Sequence, residues 1–423
     1  MNDLIVIGAG LTGLIAAHTA ATAGLKVGVV AKGMGSLHWA AGTVDLLGYL
    51  PHSSDQPVQQ PLEELSRLGD EHPYHLVDSD LIAQSLEAFR QTLVAAGLDY
   101  VGAPVGSRNL QLPSAVGAVR PTFLAPQAQA AGDLRRSEPL LIVGIQGLRD
   151  FYPQLIADNL TAQGYRARAA FLPLDLFTQR RDYTPVLLAE AMDDAGRTVQ
   201  VAQALSKLAA PGERIGLPAI LGMHEHLRTL RTLQERAGAA IFEIPTLPPS
   251  IPGIRLFHAL RRTLAAQGVR IEVGMEVIGF GSRGRTIEWV ESATSARPLK
   301  HRAAHFLLAS GGILGGGFSS DHKGRCWETI FNLPLTTPQD RAAWFRPDFL
   351  DPGGHPVFRE GVAVDRNFQP VDAGGRVLFD NLQAGGTLLA GSDPIGERSM
   401  EGLAIITGRA AALAITNSQP IAG

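Results

Sequence analysis

The chain has 423 residues, of which 45% are hydrophobic and 18% charged, with a formal net charge of -3. That composition excludes a disordered chain, and the balance of charge excludes the basic footprint of a nucleic-acid binder. The single cysteine, Cys326, excludes an internal disulfide framework and any multi-cysteine zinc or iron–sulfur site.

In chain order, Leu4 to Ile7 is a short, wholly apolar run, as expected of a strand covered on both faces. It begins almost at once, with no charged leader before it, so the reading is a cytosolic chain without a signal peptide. A glycine turn follows, then a helix over Leu14 to Ala23 stopped by Gly24, then a strand over Lys26 to Ala31. Residues 52–70 are polar and read as a loop, and Asp78 to Gly97 as an amphipathic helix capped by Asp78 or Ser79. Strand-like pieces follow at Ala115 to Val119, Leu140 to Ile145 and Ala219 to Leu221. Helices are expected over Leu148 to Gln163, Val186 to Leu208 and His224 to Ala237. Pro245, Pro248, Pro249 and Pro252 mark a boundary. Beyond it come a helix over Gly253 to Gln267 and strands at Val269 to Val273, Val277 to Gly281, Thr286 to Val290 and His305 to Leu308. A terminal helix starts near Met400; its most apolar part, Gly402 to Thr416, is interrupted by Arg409 and is no membrane span of about 20 apolar residues.

Four segments carry chemistry. Gly8-x-Gly10-x-x-Gly13 lies between a strand and a helix, where Gly8 permits the turn, Gly10 a close phosphate and Gly13 close helix–strand packing. With Leu11 and Thr12 this turn points to nucleotide or flavin binding at a helix N-terminus. The acid expected after the second strand to bind a ribose hydroxyl is absent, since Ala31 stands there; FMN, or FAD held without that carboxylate, stay open. Ala309-Ser310-Gly311 after a strand is similar to the Ala-Thr-Gly segment of two-domain flavoproteins. Asn381 to Thr387 resembles their late flavin motif, with Thr387 after Gly386 in place of the acid that binds the ribityl chain. Gly402 and Leu403 then open a helix whose N-terminus faces the flavin ring in such proteins. Ser36, Gly42 and Thr43 in the loop after the second strand, and Val277 at the start of a later strand, complete the cofactor candidates.

The chain resembles the B subunit of anaerobic glycerol-3-phosphate dehydrogenase nearly end to end. The most particular pieces are Ser36 to Leu47, His72-Pro73-Tyr74, Val143 to Leu148 and the proline-rich Pro245 to Leu256. The resemblance implies FMN as cofactor and oxidation of glycerol 3-phosphate to dihydroxyacetone phosphate. It also implies a complex with two partners, the larger flavin-bearing A subunit and the iron–sulfur membrane C subunit. The latter would hold this chain at the cytoplasmic face of the inner membrane and pass electrons to quinone. The tail around Gly396 to Met400 lacks the Gly/Cys-rich stretch of some members.

Three residues are candidates for the reaction itself. His38 is a proton acceptor by chemistry, its ordinary pKa lying near working pH. Arg120 and Arg255 are anion candidates, because a phosphate monoester needs fixed guanidinium donors; Arg398 is a further arginine of this kind. His224-Glu225-His226 has no shared helix face and no HExxH spacing, so no metal is assigned. The fold expected is α/β, a two-domain flavoprotein with a discontinuous Rossmann-like FAD/NAD(P)-binding-type domain over 1–70 and 246–423 and an inserted α/β domain over 71–245. Two other readings compete with the dehydrogenase: a non-catalytic flavin electron relay or assembly subunit, and a stand-alone FAD oxidoreductase.

Overall fold

A computed structural model describes residues 1–53, 56–102, 108–179, 183–338 and 340–418. The strand Asn2–Ile7 is buried from Leu4 onward because it is the middle of a five-stranded sheet. The strand order is Arg270–Val273, Val27–Ala31, Asn2–Ile7, Ala303–Leu308 and Leu382–Ala384, and every pairing is parallel. Parallel strands covered on both faces read as continuous apolar runs, which is why the central strands of this sheet are visible in sequence. The register pairs Ile7 with Val30 and with Leu308, so the three central strands end together. In open α/β sheets that edge is where ligands bind.

The helices Leu11–Thr22, Ile251–Ala266 and Met400–Ser418 pack on one another beside this sheet, together with Ser79–Ala95. An antiparallel layer of Val277–Arg283, Thr286–Ser292 and Leu299–His301 packs against Ala303–Leu308. Asn381 fastens that layer: its amide accepts from Ile287 N at 2.9 Å and donates to Ile287 O at 2.9 Å and Ala304 O at 2.8 Å.

A second sheet, with order Ile241–Ile244, Arg214–Pro218, Leu140–Ile145 and Ala167–Leu172, is also all parallel. Buried apolar residues accordingly form two cores. One gathers residues between Leu4 and Leu124 and between Leu256 and Ile415; the other lies between Ala128 and Ile251. Tyr74, the helix Ser79–Ala95 and Phe123 therefore pack with the first core, although the sequence reading placed them beyond a boundary at residue 70.

Two short elements differ from expectation. Ala115 to Ala118 is a turn, closed by Ser114 N donating to Ala118 O at 2.8 Å, between the paired strands Leu110–Pro113 and Val119–Thr122. Ala219 to Leu221 is buried but not a strand; the strand is Arg214–Pro218, whose backbone is taken by neighbours on both sides.

Candidate functional site

At the shared end of the three central strands lies a cleft of ≈ 360 Å³. Ten of the expected cofactor residues line it: Gly8, Gly10, Leu11, Thr12, Ser36, Val277, Ala309, Ser310, Gly311 and Thr387. Gly8 has φ +115°, and a Cβ there would meet Ala309 O at 2.2 Å. Gly13 sits one turn on and does not line the cleft; a Cβ on it would meet Gly8 O at 1.9 Å, so its role is packing. The helix Leu11–Thr22 starts at Gly10 with no side-chain cap and no acidic residue in its first turn. Its first N–H groups and the positive end of its dipole are thus left for an anion.

The opposite wall comes from the two later segments. Ser310 Oγ is buried with no hydrogen-bond partner. An unpaired buried hydroxyl is costly, so at a cleft wall it marks a place where a ligand supplies the missing bond. Thr387 Oγ1 accepts from Gly312 N at 3.3 Å, which leaves its hydroxyl proton free to donate into the cleft. Met400, the first residue of the terminal helix, also lines the cleft.

The other expected residues lie elsewhere. Gly386 and Leu403 pack behind the wall, where a Cβ on Gly386 would meet Thr12 Oγ1 at 2.2 Å and Leu403 is buried in the core. Gly402 abuts Tyr74, whose hydroxyl would lie 2.4 Å from an added Cβ. Gly42 abuts Pro252 and accepts from the Tyr100 hydroxyl. His38 is exposed, stacks on Trp39 and bonds through Nδ1 to Gly35 O at 2.6 Å, outside the cleft. Its Nδ1 is taken by its own turn. Arg255 is also outside: it makes a bidentate pair with Glu243 at 2.7 and 2.9 Å and donates Nε to Gly222 O at 2.7 Å. Those bonds engage all three of its guanidinium nitrogens, so the geometry reserves no fork for a phosphate.

Arg120 has a different setting. It is buried, donates Nη1 to Thr43 Oγ1 at 2.6 Å, and stands 3.9 Å from Asp45. Its Nε is buried without a partner. Asp45 accepts from Thr43 and Thr122 and lies 3.4 Å from Arg398 Nε. Gly402 N donates to Asp45 O at 3.1 Å, which holds this polar cluster against the start of the terminal helix. The motif His72-Pro73-Tyr74 props the same turn: His72 Nε2 meets Glu397 Oε2 at 3.1 Å, and the Tyr74 hydroxyl donates to Leu46 O at 2.9 Å.

Glu401 belongs to this cluster. Desolvation first, and then the negative charge of Asp45, push its carboxyl up to about 8. A carboxyl raised in the fold ionises more readily when unfolded, so folding stability falls as pH rises from the ordinary carboxylate range through about 8. Glu401→Gln should remove that fall. Melting temperatures of both proteins at about pH 6 and about pH 9 test this, with the variant gaining on the parent at the higher pH.

Sequence reasoning missed several wall residues. Glu276 lines the cleft beside Ala31 and Lys32, and its carboxylate meets Lys32 Nζ at 3.0 Å. It arrives there because Val273 pairs with Ala31 across the sheet, which no linear motif reveals. Gly35, whose added Cβ would lie 3.0 Å from Gly10 Cα, and the loop residues Leu314 to Gly316 were in plain view as glycine-rich sequence.

This arrangement defines a class, the flavoproteins with a glycine turn at a parallel-sheet edge, and a family model described as an FAD binding domain matches residues 3–401. A protein of Halobacterium salinarum, named as the probable B subunit of anaerobic glycerol-3-phosphate dehydrogenase, is 34% identical over 98% of this chain and 97% of its own. Proteins named as the B subunit of the same dehydrogenase are similar at 33% identity from Yersinia pestis, over 93% of both chains, and at 30% from Vibrio cholerae, over 96% and 94%. The chain belongs to this family, the B subunit of anaerobic glycerol-3-phosphate dehydrogenase, within the FAD-binding-domain flavoproteins. Its own residues fit a flavin: an uncapped helix start for phosphate, glycines where a Cβ would block the wall, and the unpaired Ser310 hydroxyl.

Proposed function

We propose that this chain is the flavin-binding, substrate-oxidising subunit of a glycerol-3-phosphate dehydrogenase complex. The observation that carries the reading is a flavin cleft at the sheet edge together with a buried arginine, Arg120, which does not line the cleft but keeps an unpartnered Nε in the polar cluster that Asp45 ties to the start of the terminal helix. A bound flavin supplies an acceptor for a hydride and its electron pair. Gly10 to Gly13 and the helix N-terminus hold its phosphate, Ser310 and Thr387 donate along its length, and Arg120 takes the phosphate of glycerol 3-phosphate. The core between Ala128 and Ile251 is the inserted domain and carries Gln129 to the Arg120 side chain at 3.5 Å.

Of the two flavins, FAD suits the cleft better than the FMN that the resemblance implies. The cleft runs on past the helix start to Ala31, Lys32 and Glu276, where the Glu276 carboxylate takes the place of the missing strand-end acid for an adenosine ribose. Acid extraction of the purified chain, with chromatography of the released flavin, tests this. One FAD per chain is expected; FMN would mean that the Ala31–Glu276 end serves no cofactor.

The partners are the iron–sulfur, membrane-anchoring C subunit and the second flavoprotein, the A subunit, with quinone as final acceptor. A partner must supply both the cluster and the anchor, since the chain has one cysteine and no helix among the described residues is long and apolar enough to cross a membrane. The chain then works at the cytoplasmic face of the membrane. Arg120→Ala discriminates this reading from a pure electron relay. In the complex it should raise KM for glycerol 3-phosphate by about 10²-fold, the equivalent of a lost charged hydrogen bond of roughly 1.5–3 kcal/mol. Unchanged steady-state kinetics would favour the relay.

A further inference from the structure

Two neighbouring side chains stand apart on the surface. Phe349 is 88% exposed and Leu350 86%, whereas, Met1 aside, every other large apolar side chain among the described residues is 58% exposed or less. Single exposed apolar residues are ordinary, but adjacent ones mark interaction sites. Phe345 extends the patch: it is exposed, and its ring lies 5.5 Å from that of His355, whose Nε2 meets Phe349 O at 3.0 Å.

The loop holds this tip out by its own hydrogen bonds. At its base Trp344 is buried, donates Nε1 to Pro338 O at 2.8 Å and accepts from Val357 N at 3.1 Å. Arg346 N donates to His355 Nδ1 at 3.1 Å, so the other ring nitrogen carries the proton and donates to Phe349 O. Beyond the tip, Asp351 N donates to Asp348 O at 3.2 Å, Gly353 N to Asp351 Oδ1 at 2.8 Å and Gly354 N to Asp351 O at 2.9 Å. An anchor ordered before docking loses less conformational entropy on docking, and the strongest interface contacts are anchors of this kind.

Charge indicates what receives the tip. Asp348 and Asp351 bracket Phe349 and Leu350 in sequence. The Arg346 side chain donates Nε to Gly354 O at 3.1 Å and stands 3.6 Å from Asp351. Asp348 is exposed and its carboxylate has no hydrogen bond or ion pair among the described residues, so the tip is net negative. Apolar anchors that enter a bilayer surface are flanked by Lys and Arg, because that surface is anionic. Carboxylates hold those places here, which favours a protein over a lipid surface.

Resting on the reading of this chain as one subunit of a complex, we propose that the Phe349–Leu350 tip is a docking plug that enters an apolar pocket with a basic rim on a partner subunit. The plug stands on a segment tied to the flavin cleft. Gly354, at φ +65°, closes on Asp393, whose Oδ2 would lie 2.8 Å from an added Cβ. Asp393 Oδ1 accepts from Ile395 N at 3.2 Å and Gly396 N at 2.9 Å, and that turn runs on to Met400 in the cleft wall.

The test measures binding of the purified, flavin-loaded chain to the immobilised A and C subunits of the complex proposed above. Phe349→Ser with Leu350→Ser should weaken binding about 30-fold or more, the equivalent of roughly 2 kcal/mol for hot-spot anchors. Asp348→Lys should weaken it about 10-fold at low ionic strength and converge on the parent as salt is raised. Melting temperature and flavin content should match the parent in both variants, because the altered side chains are exposed. Parent affinity in both variants overturns the plug. So does flotation of the isolated chain with phosphatidylglycerol vesicles that the Phe349–Leu350 variant loses, which would make this a lipid-binding surface. Self-association of the isolated chain that the same variant abolishes would assign the tip to a second copy and also overturn it. If the parent itself does not bind the A and C subunits, the complex reading falls first and takes this assignment with it.

Discussion

Arg255→Ala should destabilise the fold by about 3–5 kcal/mol, the cost of stranding one member of a buried ion pair. Glu243 is 2% exposed and would lose both guanidinium bonds, at 2.7 and 2.9 Å, keeping only the Leu221 N–H at 2.8 Å. Gly222 O would lose its donor as well. The site matters because of where it sits. Arg255 lies on Ile251–Ala266, a helix whose Leu256, Phe257 and Leu260 belong to the first core, while Glu243 is in a strand of the second. The pair therefore pins the two cores together. Lysine should not rescue it, since a single ammonium cannot reproduce a fork plus a third bond. Arg255→Met combined with Glu243→Leu should recover much of the loss, because replacing both charges removes the stranded one. Denaturant unfolding of the three variants measures this. A substrate-binding arginine would give the opposite pattern, with KM raised and the unfolding midpoint unmoved.

That contrast shows where sequence reading stops. Arg120 and Arg255 look alike in sequence, each an arginine near a proline or glycine turn. What separates them is a partner: Arg255 finds Glu243 twelve residues away and engages all three guanidinium nitrogens, while Arg120 finds a threonine hydroxyl and a glutamine and leaves Nε unpartnered. Pairing across space has no local signature. The three central strands were legible because burial on both faces makes them largely apolar runs, and the cleft because Gly8 to Gly13 and Ala309 to Gly311 carry local backbone requirements. Glu276 was not, since its place depends on which strand lies beside Val27–Ala31. Glu401 was passed over for a related reason. A glutamate in a first helical turn is ordinary surface chemistry. Only the packing of Asp45, Tyr74 and Tyr100 around it makes it a desolvated acid.

The glycine turn gives the other large effect. Gly8→Ala should abolish flavin retention and cost on the order of 3 kcal/mol or more. Two independent terms act there. At φ +115° an L-residue is strained whatever the space around it. The added methyl would also sit 2.2 Å from Ala309 O, a backbone atom in the neighbouring strand end that cannot turn aside. Relief requires the Asn2–Ile7 and Ala303–Leu308 strand ends to part, and these carry both walls of the cleft. Gly13→Ala should act through packing alone, pushing Leu11–Thr22 off Gly8 O, 1.9 Å from the new methyl, and so moving the helix start away from the phosphate. Gly33→Ala is the matched control. Gly33 lines the same cleft, yet a Cβ there meets nothing within 4 Å. Flavin per chain after gel filtration should stay at the parent value for Gly33→Ala and fall to background for Gly8→Ala. The melting temperature should follow the same order. Equal flavin content in all three would show that the cofactor does not sit against this turn.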